Sequence, residues 1–266
     1  MAKMLKVLSL GAGVQSTTLA LMAAKGEFDE IPDCAIFADT GDEPKVVYEH
    51  LKWLQSQNLP FPIHIVGSGS MSENFLNGEK PAQPPFFTKT KKGIGMLNRQ
   101  CTKAYKITPI TKKVRELLGY APRQKIPAKS AEIWIGISLD EIFRMRLSRV
   151  QYIENRHPLI EKQMTRQDCL NWIEKNNYPK PPKSACWHCP YQTNAQWKEK
   201  KQKFPEEWDK AVRFDKLIRS DKMKQFKSAP YLHSSGVPLD EVDFSTLEDL
   251  GQLNLFLNEC EGMCGV

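Results

Sequence analysis

The chain of 266 residues has no apolar run near the roughly 20 residues that a membrane-spanning helix needs. The apolar part of its opening stretch, MAKMLKVLSL, is too short for a secretory signal. A cytoplasmic location without a membrane partner is therefore expected. Two common nucleotide signatures are also missing. No Gly-Lys-Ser/Thr follows the first glycines, which excludes a Walker A loop, and position 16 is Ser, which breaks the G-x-G-x-x-G dinucleotide fingerprint. There are no internal repeats. Acidic residues are nearly absent from one segment: between 80 and 130 only Glu116 stands against thirteen Lys and Arg. Seven cysteines in a reducing compartment point to free, metal-bound or catalytic thiols rather than disulfides.

What is present reads as a globular α/β chain, with 41% hydrophobic and 26% charged residues. The net charge of +7 is unevenly spread: residues 1–79 sum to −5, 80–130 to +12, 151–220 to +5 and 221–266 to −5. The basic segment is either a solvated lysine-rich surface or a wall that meets a polyphosphate or a nucleic acid. Along the chain, KMLKVLSLG predicts a strand and Thr17 to Lys25 its helix. DCAIFADTG predicts a second, buried strand, PKVVYEHLKWLQSQ a helix, and FPIHIVG a third strand. This β-α-β-α-β order predicts a parallel sheet with helices on its faces. Residues 67–95, rich in Gly and Pro, read as a mobile loop or lid. EIWIGIS at 132–138 predicts another strand. A helix is expected to start at Thr165, and two more from Gln196 and Pro205. The division expected is a nucleotide-binding domain over 1–150 and a helical part over 151–266 that carries C-x-x-C and a cysteine tail.

The glycine turn in LSLGAGVQST follows the first strand and precedes its helix. Bare backbone N–H groups and a helix N-terminus make such a turn a phosphate cradle, although a plain tight turn would read the same way. FADTGDEP then sets Asp39, Thr40 and Gly41 where the second strand ends, on the side where doubly wound sheets hold ligands. Asp39 suits a ribose or an adenine amino group, and its alternative role is a helix N-cap, which Asp42 could also fill.

These motifs resemble the PP-loop superfamily of adenine-nucleotide α-hydrolases, and most closely its phosphoadenylyl sulfate (PAPS) reductase branch. The resemblance covers about residues 4–235 and rests on three segments in order. They are the modified glycine loop, the D-T-G segment, and GISLDEIFR, which follows a G-I/L-R-x-x-E/Q pattern at Gly136, Ile137 and Glu141 and keeps a later arginine at Arg144. Ser138 stands where arginine is usual, and Gln15 where the ATP-using branch has Asp. The resemblance implies a Rossmann-like α/β fold, a parallel sheet flanked by helices. It implies an adenine nucleotide, ATP with Mg2+ or PAPS, on Gly11, Ala12, Gly13, Gln15, Ser16, Asp39, Thr40, Gly41, Gly136 and Arg144. The chemistry it implies lies at the α-phosphate or in the reduction of an adenylyl sulfate.

Cys186 and Cys189 form a C-x-x-C on a proline-rich turn, a spacing that lets two thiolates share an ion or cluster. Cys101 lies among Arg99, Lys103 and Lys106, whose charges favour a thiolate. Three readings stay open: a [4Fe–4S] cluster on Cys101, Cys186 and Cys189, a structural zinc that recruits His188, or redox thiols without metal. Cys34 and Cys169 read as core residues. The tail ECEGMCGV resembles the catalytic tail of PAPS reductases, with Cys260 and Cys264 where one cysteine is usual. Three functions follow: sulfur transfer after adenylate activation on tRNA or DNA with a separate sulfur donor, reduction of PAPS or APS with a thiol reductant, or nucleotide binding without catalysis.

Overall fold

The computed structural model describes residues 3–79, 83–220, 226 and 228–245, so Cys260 and Cys264 lie outside the described residues. Its main sheet is wholly parallel, in the order β3-β2-β1-β6-β7. The strands are β1 (Leu5–Leu10), β2 (Cys34–Asp39), β3 (Ile63–Gly67), β6 (Ala131–Ile135) and β7 (Ile153–Arg156). β1 pairs with β2 from Val7↔Cys34 to Leu10↔Phe37, and with β6 from Leu5↔Ala131 to Ser9↔Ile135.

Alternation along each strand sends side chains to opposite faces, and helices cover both. Leu8, Leu10, Ala35, Phe37 and Trp134 pack on one face with α1 (Val14–Ala24), α2 (Lys45–Gln55) and α6 (Arg166–Lys175). Val7, Ile36, Ile133 and Ile153 pack on the other against Val114 of α4 (Thr108–Leu117). This double cover explains why CAIFAD of β2 is apolar without alternation. Burying each such Leu or Ile contributes about 1.5–3 kcal/mol. α1 is buried from Val14 to Ala23, since α6 closes over the side that the sheet leaves open. α6 starts where expected, on a capping box between Thr165 and Asp168. Cys34 and Cys169 are core residues, and burial raises their thiols to about 11 and about 12.

A second layer holds α3 (Met71–Leu76), the antiparallel strands β4 (Phe87–Thr90), β5 (Gly93–Met96) and β8 (Pro230–Tyr231), and helices α7 (Asn194–Lys203) and α8 (Pro205–Ile218). Its core is aromatic: Phe75, Phe86, Trp197, Trp208 and Phe214. Here the structure corrects the sequence reading of 67–95 as a loop. Ser70 caps α3 by accepting from Glu73 N–H, and Phe75 and Phe86 meet edge to face at 5.3 Å, so buried aromatics hold a helix and a ribbon where glycine and proline suggest neither. β7 is also unforeseen, since IENR carries three polar residues at the sheet edge. Among the described residues no helix is long and apolar enough to cross a membrane.

Gly41 has φ +71°, and a Cβ there would lie 2.6 Å from Ser70 Cα. Gly26 has φ +73° with nothing within 4 Å of such a Cβ. Gly26→Ala is expected to cost about 1–2 kcal/mol from the left-handed conformation alone, lowering Tm by roughly 2–8 °C. Gly41→Ala adds overpacking of about 1–3 kcal/mol and should melt well below Gly26→Ala. Equal melting temperatures for the two variants would contradict this packing.

Candidate functional site

The order of the main sheet reverses between β1 and β6, the switch point at which open α/β sheets bind ligands beyond their strand carboxyl ends. The glycine turn lies here. Gly11 N–H donates to Ser16 Oγ at 3.2 Å, and Ser16 Oγ–H donates to Gly13 C=O at 3.4 Å, folding the turn onto the first turn of α1. Ala12 takes φ +53° to complete it, and no side chain caps α1 at Gly13. Gly136 presses on the same helix start, where a Cβ would stand 2.9 Å from Ser16 N. A side chain at 136 would therefore displace the helix end that faces the crevice. From the other side comes Ser184: a Cβ on Gly13 would sit 3.4 Å from Ser184 Cβ, and one on Gly11 3.9 Å from Ser184 Oγ.

Gln15 is buried at the centre of a polar network. Its Nε2 donates to Glu141 Oε2 at 3.2 Å and to Ser138 Oγ at 3.4 Å, and its Oε1 accepts from Arg166 at 2.8 Å. Arg144 pairs with Glu141 at 2.7 Å. Two guanidinium groups thus meet Glu141 at the switch point, while Asp140 Oδ1 accepts from Arg166 N–H at 3.0 Å, and the guanidinium forks offer donors suited to an anion's oxygens. Sequence reasoning missed Arg166, which lies 151 residues from Gln15. The only local sign of it is its place just after the Thr165 cap.

At the end of β2, Asp39 Oδ1 accepts from Gly41 N–H at 2.8 Å and Tyr48 O–H at 2.7 Å. Burial, then the Asp39 carboxylate, raises the Tyr48 phenol and keeps it a donor. Neither Asp39 nor Asp42 caps α2, whose N-cap is Pro44. Asp42 instead turns inward. Its carboxylate accepts from Ser70 Oγ at 2.9 Å, Ser72 Oγ at 2.9 Å and Ser72 N–H at 2.6 Å, and from His188 Nε2 at 2.9 Å. Burial opposes ionisation of Asp42, but the bonds from His188, Ser72 and Ser70 outweigh it and hold the pKa below the usual aspartate range. An ionised Asp42 takes the Nε2 proton in its hydrogen bond, so the other ring nitrogen, Nδ1, is fully buried without a partner.

His188 belongs to a cavity lined also by Cys101, Cys186, Cys189, Thr40, Thr102 and Arg99. Cys101 precedes a single π-helical stretch, Thr102–Ile107, a rare form found often at functional sites. Thr40 Oγ1 lies 3.3 Å from Cys186 Sγ, which joins the end of β2 to the C-x-x-C. Burial, then Glu43, pushes the Cys186 thiol well above the usual cysteine range. Beneath the C-x-x-C, Lys200 donates to Trp187 C=O. Burial lowers its pKa to about 8, while the facing Glu207, Cys189 and Cys186 work to raise it. The structure therefore brings Cys101, Cys186 and Cys189 together in one cavity. Gly11, Ala12, Gly13, Gln15, Ser16, Gly136 and Arg144 gather at the switch crevice, with Asp39, Thr40 and Gly41 at the neighbouring strand end. Among the described residues, no three His, Cys, Asp or Glu side chains are placed to share one metal ion.

No protein-family model matches the sequence, and no curated protein is similar to it. Among solved structures, the chain is similar to a phosphoadenylyl-sulfate (PAPS) reductase from Candida auris in a phosphate complex, at 14% identity and a TM-score of 0.47, over 70% of this chain and 83% of that one. It is also similar to the U34-tRNA thiolase NcsA from Methanococcus maripaludis with its [4Fe-4S] cluster, at 11% identity and a TM-score of 0.39, over 81% of this chain and 72% of that one.

Because the folded pKa of Asp42 is depressed, its stabilisation is present above the unfolded value near 3.9 and is lost as pH falls through the folded value. Asp42→Asn is expected to unfold at lower urea than the parent at pH 7, by about 1.5–3 kcal/mol for a bond to charge, with the gap narrowing below about pH 4. A gap that is constant from pH 7 to pH 3 would contradict an ionised Asp42.

Proposed function

We propose that the protein is an adenine-nucleotide-dependent enzyme of sulfur transfer that activates tRNA or DNA at the nucleotide's α-phosphate and carries a [4Fe–4S] cluster on Cys101, Cys186 and Cys189. The observation that carries this reading is the short bridge between the two halves of the site. One segment sets Ser184 against Gly11 and Gly13 and, two residues on, Cys186 against Thr40.

The donor set fits the cluster. Three soft thiols line a cavity whose wall also holds two buried, unpartnered polar atoms, Thr102 Oγ1 and His188 Nδ1. When bound, such a cluster would supply a site for holding or passing sulfur.

The chain's own residues account for the rest. The turn Gly11–Gly13 and the start of α1 would hold the phosphates, with Arg144 and Arg166 offsetting their charge. Gln15, fixed by Ser138, Glu141 and Arg166, would orient the α-phosphate without adding a negative charge. Asp39 would take the adenosine through Oδ2. An acceptor oxygen attacks the α-phosphorus, the bond to the β-phosphate bridge breaks, and pyrophosphate leaves. Hydrosulfide from a sulfide donor then attacks the activated atom of the acceptor, the bond to the AMP oxygen breaks, AMP leaves, and the S–H proton passes to solvent.

A second reading, PAPS or APS reduction by a thiolate of Cys260 or Cys264, is favoured by Gln15 and by the guanidinium groups of Arg144 and Arg166 near it, which suit a nucleotide with an added anionic group. The test is anaerobic turnover with ATP and nucleic acid. AMP and pyrophosphate should appear together, and Cys101→Ser, Cys186→Ser or Cys189→Ser should lose both the visible iron–sulfur absorption and the sulfur product. A protein that loads a cluster yet releases no AMP with any nucleic acid would overturn this reading, and sulfite from PAPS would replace it with the second.

A further inference from the structure

One element carries positive charge that nothing else in the described structure answers. β4 and β5 pair antiparallel from Phe87↔Met96 to Thr90↔Gly93, and every residue from Lys89 to Met96 is exposed. Lys89, Lys91 and Lys92 crowd its end, and none of them has an ion-pair partner among the described residues. From residue 83 to 115 the sequence contains no Asp or Glu.

The register divides the ribbon into two unlike faces. Phe87, Lys89, Ile94 and Met96 share one face, and Thr88, Thr90, Gly93 and Gly95 the other. The first face leans on the turn after β8: a Cβ at Gly236 would lie 3.3 Å from Ile94 Cδ1 and 3.5 Å from Lys89 Cβ. The second face offers only hydroxyls and bare glycine backbone, which let another molecule's backbone approach closely.

The roots of the ribbon fix where it leads. Leu97 N–H donates to Phe86 C=O at 2.9 Å and Gln100 N–H to Gln83 C=O at 3.2 Å, carrying the pairing down to the cysteine cavity. Pro84 and Pro85 from one root and Arg99 and Cys101 from the other line that cavity. At the rise of a strand, the lysine end stands about 20 Å from the cavity wall at Pro85 along one hydrogen-bonded arm.

We propose that this ribbon enters the major groove of duplex DNA and guides the DNA toward the cysteine cavity. The B-DNA major groove admits a two-stranded β-ribbon, whereas the deep, narrow major groove of A-form RNA does not. Lys91 and Lys92 at the turn supply the phosphate contacts, and the Thr and Gly face lies close to the groove floor. The inference rests on the nucleic-acid reading above and chooses DNA duplex within it.

Fluorescence anisotropy with the full chain tests it, using a labelled 20-base-pair DNA duplex, an RNA duplex of the same sequence and one single DNA strand, between 50 and 200 mM salt. The DNA duplex should bind at least about tenfold more tightly than either other probe. The double variant Lys91→Ser/Lys92→Ser should lose about tenfold in affinity and about 2 from the slope of log affinity against log salt. Its ATP binding by calorimetry should match the parent's, which shows that it is folded. Equal DNA affinity of variant and parent, or tighter binding of the RNA duplex or single strand, overturns the ribbon's role while leaving the nucleic-acid reading standing. No binding of any probe by the parent overturns both.

Discussion

The arrangement depends on one buried carboxylate. Asp42 gathers the start of α3 through Ser70 and Ser72 and the C-x-x-C turn through His188, and its backbone C=O accepts from Trp187 N–H at 3.0 Å. Two segments far apart in sequence are thereby pinned to the end of β2. A charge taken out of water must be repaid by such bonds or it will not stay ionised. Here four donors do so at once, and removing any one leaves a buried charge less well satisfied. Gly41, in the left-handed conformation against Ser70, is the backbone counterpart of the same junction.

The junction is what makes a single site of two. On one side is a crevice defined by topology: glycine backbone at the end of β1, Gly136 at the end of β6, and a helix start between them. On the other is a cavity defined by soft ligands. Thr40, next to Asp42, touches Cys186, and Ser184 sits over the glycine turn. The proposed reaction, activation at phosphorus followed by sulfur chemistry, would require its two groups of residues to be held this close.

The main sheet was legible because its signals are local. Apolar runs separated by helical periods give β1, β2, β3 and β6, and Thr165 announces α6 through its own capping box. Cys34 and Cys169 were legible as core for the same reason. The polar connections were not. Arg166 reaches Gln15 across 151 residues and His188 reaches Asp42 across 146, and no periodicity records such a pairing. Asp42 itself reads locally as a helix cap, a role it does not take. The ribbon was hidden by its own composition, since Lys, Thr and Gly read as loop until Phe86 and Phe75 are seen to anchor it in an aromatic core. Cys260 and Cys264, legible only by resemblance, lie outside the described residues.

The central claim is that the β1/β6 switch crevice holds an adenine nucleotide on Gly11–Gly13 with Arg166 beside it. Calorimetric titration of the anaerobically purified full chain with ATP, repeated on Arg166→Ala, tests this most directly. The account predicts saturable one-to-one binding that weakens by about tenfold in the variant, the loss of one charge-assisted contact of roughly 1.5 kcal/mol. Absence of binding to ATP, or identical affinity with and without Arg166, would contradict it.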